Sequence, residues 1–187
     1  MSTTSTNHQL QSTKIFVYGT LKRGFPNHHL LENLTASNDA VFLGCYKTIN
    51  SYPLVCGPLG IPFLINIPGS GHRVLGELYS VSGQALARLD ELEGISRGHY
   101  ERLSLEVVTE EEGEPRVTVA EGYFGHRSFG EEMWRKNGEL GMEEYMDKEG
   151  EKYVRVEDRD VGLNLRDYIR VYLQSHDHQS SIHHPSS

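Results

Sequence analysis

The chain has 187 residues, with 18 Lys and Arg against 26 Asp and Glu and 37% hydrophobic residues, one core's worth of polypeptide. Its net charge of −8 sets the overall field against a phosphate backbone or an anionic lipid surface. No apolar run approaches the ~20 residues of a spanning helix, and residues 1–13 lack the basic-then-apolar plan of a secretory signal. A soluble cytoplasmic protein without nucleic-acid or membrane partners is therefore expected. Cys45 and Cys56 lie at no metal-ligand spacing and read as buried free thiols rather than a disulfide.

In chain order, residues 1–13 are rich in Ser, Thr, Gln and Asn and read as a disordered tail. Lys14 to Tyr18 is apolar on both alternating faces, which predicts a strand buried on both sides and stopped by Gly19. Pro26 and Asn27 then introduce a short helix, His28 to Leu34, with Asn27 available as its cap. Four extended segments follow, Ala40 to Ile49, Tyr52 to Cys56, Ile61 to Ile67 and Arg73 to Val81, separated by Gly/Pro turns. That rhythm predicts a meandering sheet or small barrel.

At Ser82 the period changes. Ala85, Leu86, Leu89 and Leu92 recur at helical spacing, with Ser82 as N-cap and Gly94 as stop, so the spacing predicts a helix over Ser82 to Glu93. The alternation of Leu103, Leu105 and Val107, an acidic turn and the run Arg116 to Phe124 predict a hairpin with one wetter face. From Glu131 to Asp160, 17 of 30 residues are charged, and the stretch reads as a solvated surface appendage with scattered anchors such as Trp134, Tyr145 and Tyr153. A terminal amphipathic helix is expected around Leu163 to Leu173, before a His/Ser-rich disordered tail, residues 175–187. One domain over residues 14–174 is the resulting organisation.

Glu93 is the most informative carboxylate. Four residues from Leu89 and seven from Leu86, it falls on the apolar face of its helix, whereas Glu91 points away and Asp90 sits at the rim. Lost solvation and the negative end of the helix dipole both raise a carboxyl pKa there, which suits a general base or acid near neutrality. Periodicity alone leaves open a solvated Glu93, or one paired with Arg97 or Arg102. The turn Tyr18 to Gly24 is the second feature, because successive backbone N–H groups at the end of a buried strand can meet an anion or a developing oxyanion. It holds the glycine spacing of a phosphate loop but continues into Phe25-Pro26 instead of Lys and Ser/Thr, which excludes nucleotide binding; a plain strand-to-helix connection is the other reading. His28 and His29 are adjacent and cannot share one ligand site, and His29 with Glu32 lacks the second His of a zinc motif, so no metal is expected. No activated-nucleophile context suggests covalent catalysis.

The segments Phe16 to Gly24, Pro26 to His28, Tyr52 to Val55, Ile61 to Leu64, Pro68 to Gly71, Gly76 to Tyr79 and Leu89 to Gly94, in this order, resemble the gamma-glutamylcyclotransferase-like family. Within it they look nearest to gamma-glutamylamine cyclotransferases and avirulence-induced-protein relatives. The resemblance implies an α+β fold, a small, mostly antiparallel β-barrel flanked by helices. It also implies Glu93 as catalytic base, Tyr18, Gly19, Thr20 and Leu21 as the substrate loop, a small γ-glutamyl substrate and no cofactor; Tyr100, six residues beyond Gly94, reads either as an aromatic lining the pocket or as a core residue. One departure is Gly125, which stands where relatives tend to place an aromatic; Tyr123 or Phe124 could substitute. The sequence does not specify an oligomeric partner.

Overall fold

The double-faced apolar run at the start becomes the strand on which the fold closes. In the computed structural model, which describes residues 12–110 and 113–175, β1 (Thr13–Val17) pairs antiparallel with β5 (Leu75–Val81). The sheet continues through β2 (Ala40–Thr48) and β6 (Tyr100–Thr109) to β7 (Val117–Gly125), each pairing antiparallel. β7 then returns to β1 in parallel, Ile15 beside Glu121 and Phe16 beside Gly122, closing a five-stranded barrel. The hairpin of β3 (Leu54–Cys56) and β4 (Pro62–Leu64) hangs from the same edge of β7, with Leu64 opposite Phe124. The edge of β7 is thus shared: β1 occupies its middle and β4 its end.

Ile15, Phe16, Val17 and Tyr18 are all 5% exposed or less, as expected of a strand covered on both faces. Phe16 and Tyr18 join Tyr46, Leu78, Leu105, Ala120 and Phe124, one or more side chains from every barrel strand, and so fill the interior. Ile15 and Val17 face outward under Leu31 and Leu34 of α1 (His28–Ala36), Ala85 and Leu89 of α2 (Gly83–Leu92) and Ile169 of α5 (Leu165–Gln174). The Ser82 hydroxyl caps α2 by accepting from the Ala85 N–H at 3.1 Å and itself donates to Asp39. Gly94 ends the helix in the left-handed region, φ 64°, and a Cβ there would stand 2.4 Å from His99 Nδ1. At α5, Asn164 and Asp167 form a reciprocal capping box.

Two expectations are corrected. The charged stretch from Glu131 to Asp160 is no surface appendage. Met133 and Trp134 of α3 (Gly130–Lys136) are buried, and Tyr145, fully buried, enters the barrel cluster and donates to the Gly60 carbonyl at 2.8 Å. The backbone of this stretch is also stitched to β3, to β5 and to the turn before β4, through Met142 N–H to Leu54, Leu75 N–H to Glu143 and Val154 N–H to Leu59. A short helix, α4 (Asp147–Gly150), carries the buried Glu149. The anchors Trp134 and Tyr145 were visible in the sequence, but their irregular spacing among charges gave no period by which to place them in the core. Both cysteines are free, but Cys45 is exposed and Cys56 only partly buried, since Cys45 lies on the outer side of the bulged strand β2.

The tails expected over residues 1–13 and 175–187 fall almost entirely outside the described residues; Thr13 itself opens β1 and Ser175 follows α5. Among the described residues, no helix is long and apolar enough to cross a membrane.

Candidate active site

Where β1 and β4 part company along β7, the gap is bridged by a side chain. The Tyr18 hydroxyl donates to the Tyr123 carbonyl at 2.6 Å and accepts from the Leu64 N–H at 3.2 Å, replacing a rung of the ladder. Beyond it the chain turns, with the Lys22 N–H bonded to the Gly19 carbonyl. Gly19 lies against Pro62, and a Cβ on it would meet Pro62 Cγ at 2.5 Å, so close approach of two chains is what requires glycine here. Among the described residues no acceptor is found for the N–H groups of Gly19, Thr20 and Leu21. Three donors without partners sit at the rim of a buried strand, as an anion site needs.

The loop is held from behind. The Asn27 amide donates to Thr20 Oγ1 at 2.9 Å and to the Tyr153 hydroxyl at 3.1 Å, and the Asn27 N–H donates to the Thr20 carbonyl. Asn27 occupies the N-cap position of α1 but makes no side-chain cap, because its amide serves the loop. His28 Nδ1 bonds to the Leu21 carbonyl at 2.9 Å.

A cavity of about 490 Å³ opens over these groups. Tyr18, Gly19, Thr20, Leu21, Glu93, Tyr100 and Tyr123 all line it. Glu93 is brought there by the last turn of α2, one helical turn beyond Leu89 and two beyond Ala85 on the same buried stripe. It keeps some exposure through the cavity, yet burial of its carboxyl pushes the pKa up to about 7. The competing partners are engaged elsewhere. Arg102 binds Asp90 at 2.9 Å and also Glu121, and Arg97 donates to the Glu91 carbonyl. Among the described residues the Glu93 carboxylate has no hydrogen-bond or ion-pair partner, and its charge is felt by the buried hydroxyls of Tyr18, Tyr100 and Tyr123, all raised chiefly by burial.

Tyr100 stacks on Phe63 at 5.2 Å and donates to the Pro62 carbonyl, which makes it both wall and support. Tyr123, held by Asp90 at 2.8 Å, is the hairpin aromatic that reaches the cavity, whereas Phe124 turns inside the barrel against Tyr52. At Gly125 a Cβ would already stand 3.2 Å from Ile65 and Phe63, leaving no room for an aromatic. The rest of the wall was not foreseen. Tyr153, Val156, Glu157, Arg159, Asp160 and Leu163 cover one side of the cavity, and no motif in their sequence marks them.

Comparison with known proteins gives the family. Residues 15–139 match the family described as gamma-glutamyl cyclotransferase, AIG2-like. The chain belongs to that family. It is 48% identical over 174 residues, 88% of this chain and 93% of the relative, to an Arabidopsis thaliana protein named "putative gamma-glutamylcyclotransferase". It is 49% identical over 102 residues to the gamma-glutamylaminecyclotransferase of Rattus norvegicus, an alignment spanning 53% of this chain and 66% of the rat protein. The crystal structure of an AIG2-like protein from Mus musculus superposes with a TM-score of 0.67 at 35% identity, covering 80% of this chain and 99% of the mouse chain.

Proposed function

We propose that the protein is a cofactor-independent gamma-glutamyl cyclotransferase acting on L-γ-glutamyl amines such as γ-glutamyl-ε-lysine. The observation that carries the reading is the meeting of Glu93 with the unpartnered N–H groups of Gly19 to Leu21 in one cavity.

A γ-glutamyl amide contains its own nucleophile. The α-amino nitrogen attacks the γ-carbonyl carbon, a five-membered ring closes, the C–N amide bond breaks, and 5-oxoproline leaves with a free amine. Because attack is intramolecular, holding the glutamyl chain folded supplies as much as ~7 to 11 kcal/mol of the barrier reduction. Glu93 takes one proton from the α-ammonium before attack and the second from the same nitrogen after ring closure, passing each to the departing nitrogen, which leaves as an ammonium, so the proton count closes without water or an added group. The Gly19 to Leu21 donors receive the substrate's negative oxygen, and Tyr100 and Tyr123 close the sides.

The test is incubation with γ-glutamyl-ε-lysine, γ-glutamyl-alanine and glutathione, scoring 5-oxoproline, beside Glu93→Gln. Turnover of the first substrate is expected, with a loss of about 10² to 10⁴ in the variant. Undiminished turnover in Glu93→Gln sinks the role of the base, and no product from any of the three sinks the reaction.

A further inference from the structure

We propose that Arg97 and Arg159 bind a carboxylate carried by the departing amine, so that the preferred substrates are γ-glutamyl conjugates of carboxylate-bearing amines rather than of plain alkylamines. The inference rests on the cyclotransferase reading and adds to it the chemistry of the leaving group.

Both arginines line the cavity that holds Glu93. They reach it from different elements. Arg97 follows Glu93 by four residues, past the Gly94 turn, whereas Arg159 belongs to the wall beyond the residues matched by the family, 15–139. In a chain of net charge −8, carboxylates are abundant, and several arginines take them: Arg23 holds Glu77, Arg102 holds Asp90, and Arg127 holds Glu101, whereas Arg73 and Arg166 bind neutral acceptors. The two cavity arginines belong to the second group. Arg97 donates to the Glu91 carbonyl at 2.9 Å. Arg159 donates through Nε to the Val154 carbonyl at 3.1 Å and through its terminal nitrogen to the Tyr153 hydroxyl at 3.3 Å.

Both side chains are therefore oriented by neutral acceptors, and among the described residues neither has an ion-pair partner. Their positive charge meets no carboxylate at ion-pair distance among the described residues. That charge reaches the neighbouring His99, whose imidazole is driven down first by burial and then by Arg97, Arg166 and Arg159. A guanidinium with spare N–H groups facing a cavity matches the planar fork of a carboxylate.

Glu157 and Asp160 line the same wall, and the Tyr168 hydroxyl already donates to Asp160. They offer a counter-ion to an ammonium beside the carboxylate, as an ε-linked lysine carries. Arg159 is also tied to the substrate loop, because the Tyr153 hydroxyl that accepts from it accepts from Asn27, which in turn holds Thr20. Tyr153 is thus a positioning residue between the two halves of the pocket.

The test compares γ-glutamyl-ε-lysine with γ-glutamylcadaverine, which differ only in the carboxylate on the leaving amine. In the wild type, kcat/KM is expected to favour the lysine conjugate by about 10- to 100-fold, the usual worth of a charge-assisted contact. Arg97→Gln and Arg159→Gln should each lower that ratio by at least about fivefold, with partial recovery in Arg159→Lys, where charge is kept but the fork is lost. Equal kcat/KM for the two substrates in the wild type, or a ratio unmoved in both glutamine variants, overturns the proposal. If neither compound yields 5-oxoproline, the cyclotransferase reading fails instead, and the pair is compared by calorimetric binding. Tighter binding of the lysine conjugate, abolished in the glutamine variants, then sustains the carboxylate site; equal binding removes it.

Discussion

Glu93 is costly in its ionised form, and that cost has a direction in pH. Burial raises its pKa from 4.5 to about 7, so between these values the folded chain binds more protons than the unfolded one and stability falls as pH rises. The loss reaches at most about 3 kcal/mol once the group is ionised above pH 7. Catalysis runs the opposite way, because only the carboxylate accepts a proton. The pH profile of kcat/KM should therefore climb through about pH 7 while thermal stability declines over the same interval. Glu93→Gln should remove that limb from the profile and raise Tm at pH 8, with little change at pH 4.5. A wild-type Tm flat from pH 5 to 8 would contradict the burial of this carboxyl.

The elements were legible in the sequence to different degrees. The helix over Ser82 to Glu93 and the placement of Glu93 on its buried stripe follow from spacing of the apolar residues, and α2 matches within a residue at each end. β1 was readable because apolar side chains occupy both faces. Asn27 takes the N-cap position expected of it, but its side chain clamps the loop instead of the helix end, since a cap and a loop clamp have the same local sequence and differ only in what lies across the fold, here Thr20 and Tyr153. The wall from Tyr153 to Leu163 was hidden because a pocket side made of loop carries neither a period of two nor one of 3.6. The Gly19 turn yields a prediction at this scale. Gly19→Ala drives a methyl into Pro62, so the turn and β4 must separate. A stability loss of about 1 to 3 kcal/mol is expected, together with a fall in 5-oxoproline formation larger than thermal unfolding explains.

Across the whole molecule, the acidic excess is not a featureless solvated coat. The stretch rich in carboxylates carries Tyr145 into a buried cluster, where its ring meets Phe25 and its hydroxyl meets Gly60 just before β4. Tyr145→Phe should cost about 1 kcal/mol through the stranded carbonyl, and Tyr145→Ala about 3 to 5 kcal/mol through the cavity left behind. Chemical denaturation of the two variants separates these contributions. If Tyr145→Ala unfolds at the wild-type midpoint, the segment does not contribute to the core.

The shared edge of β7 has a temporal consequence. Tyr18 and the carbonyl of Tyr123 that it binds are 105 positions apart in the chain, and Tyr153 lies 126 positions beyond Asn27. During synthesis, the Gly19 turn leaves the ribosome long before the strand that anchors it, and longer still before the tyrosine behind Asn27. Half of the pocket must wait, unpaired, for the other half to be made. Closure with such distant partners slows folding relative to proteins of mostly local contacts, and in synthesis the site is completed only after the Tyr153 segment has emerged.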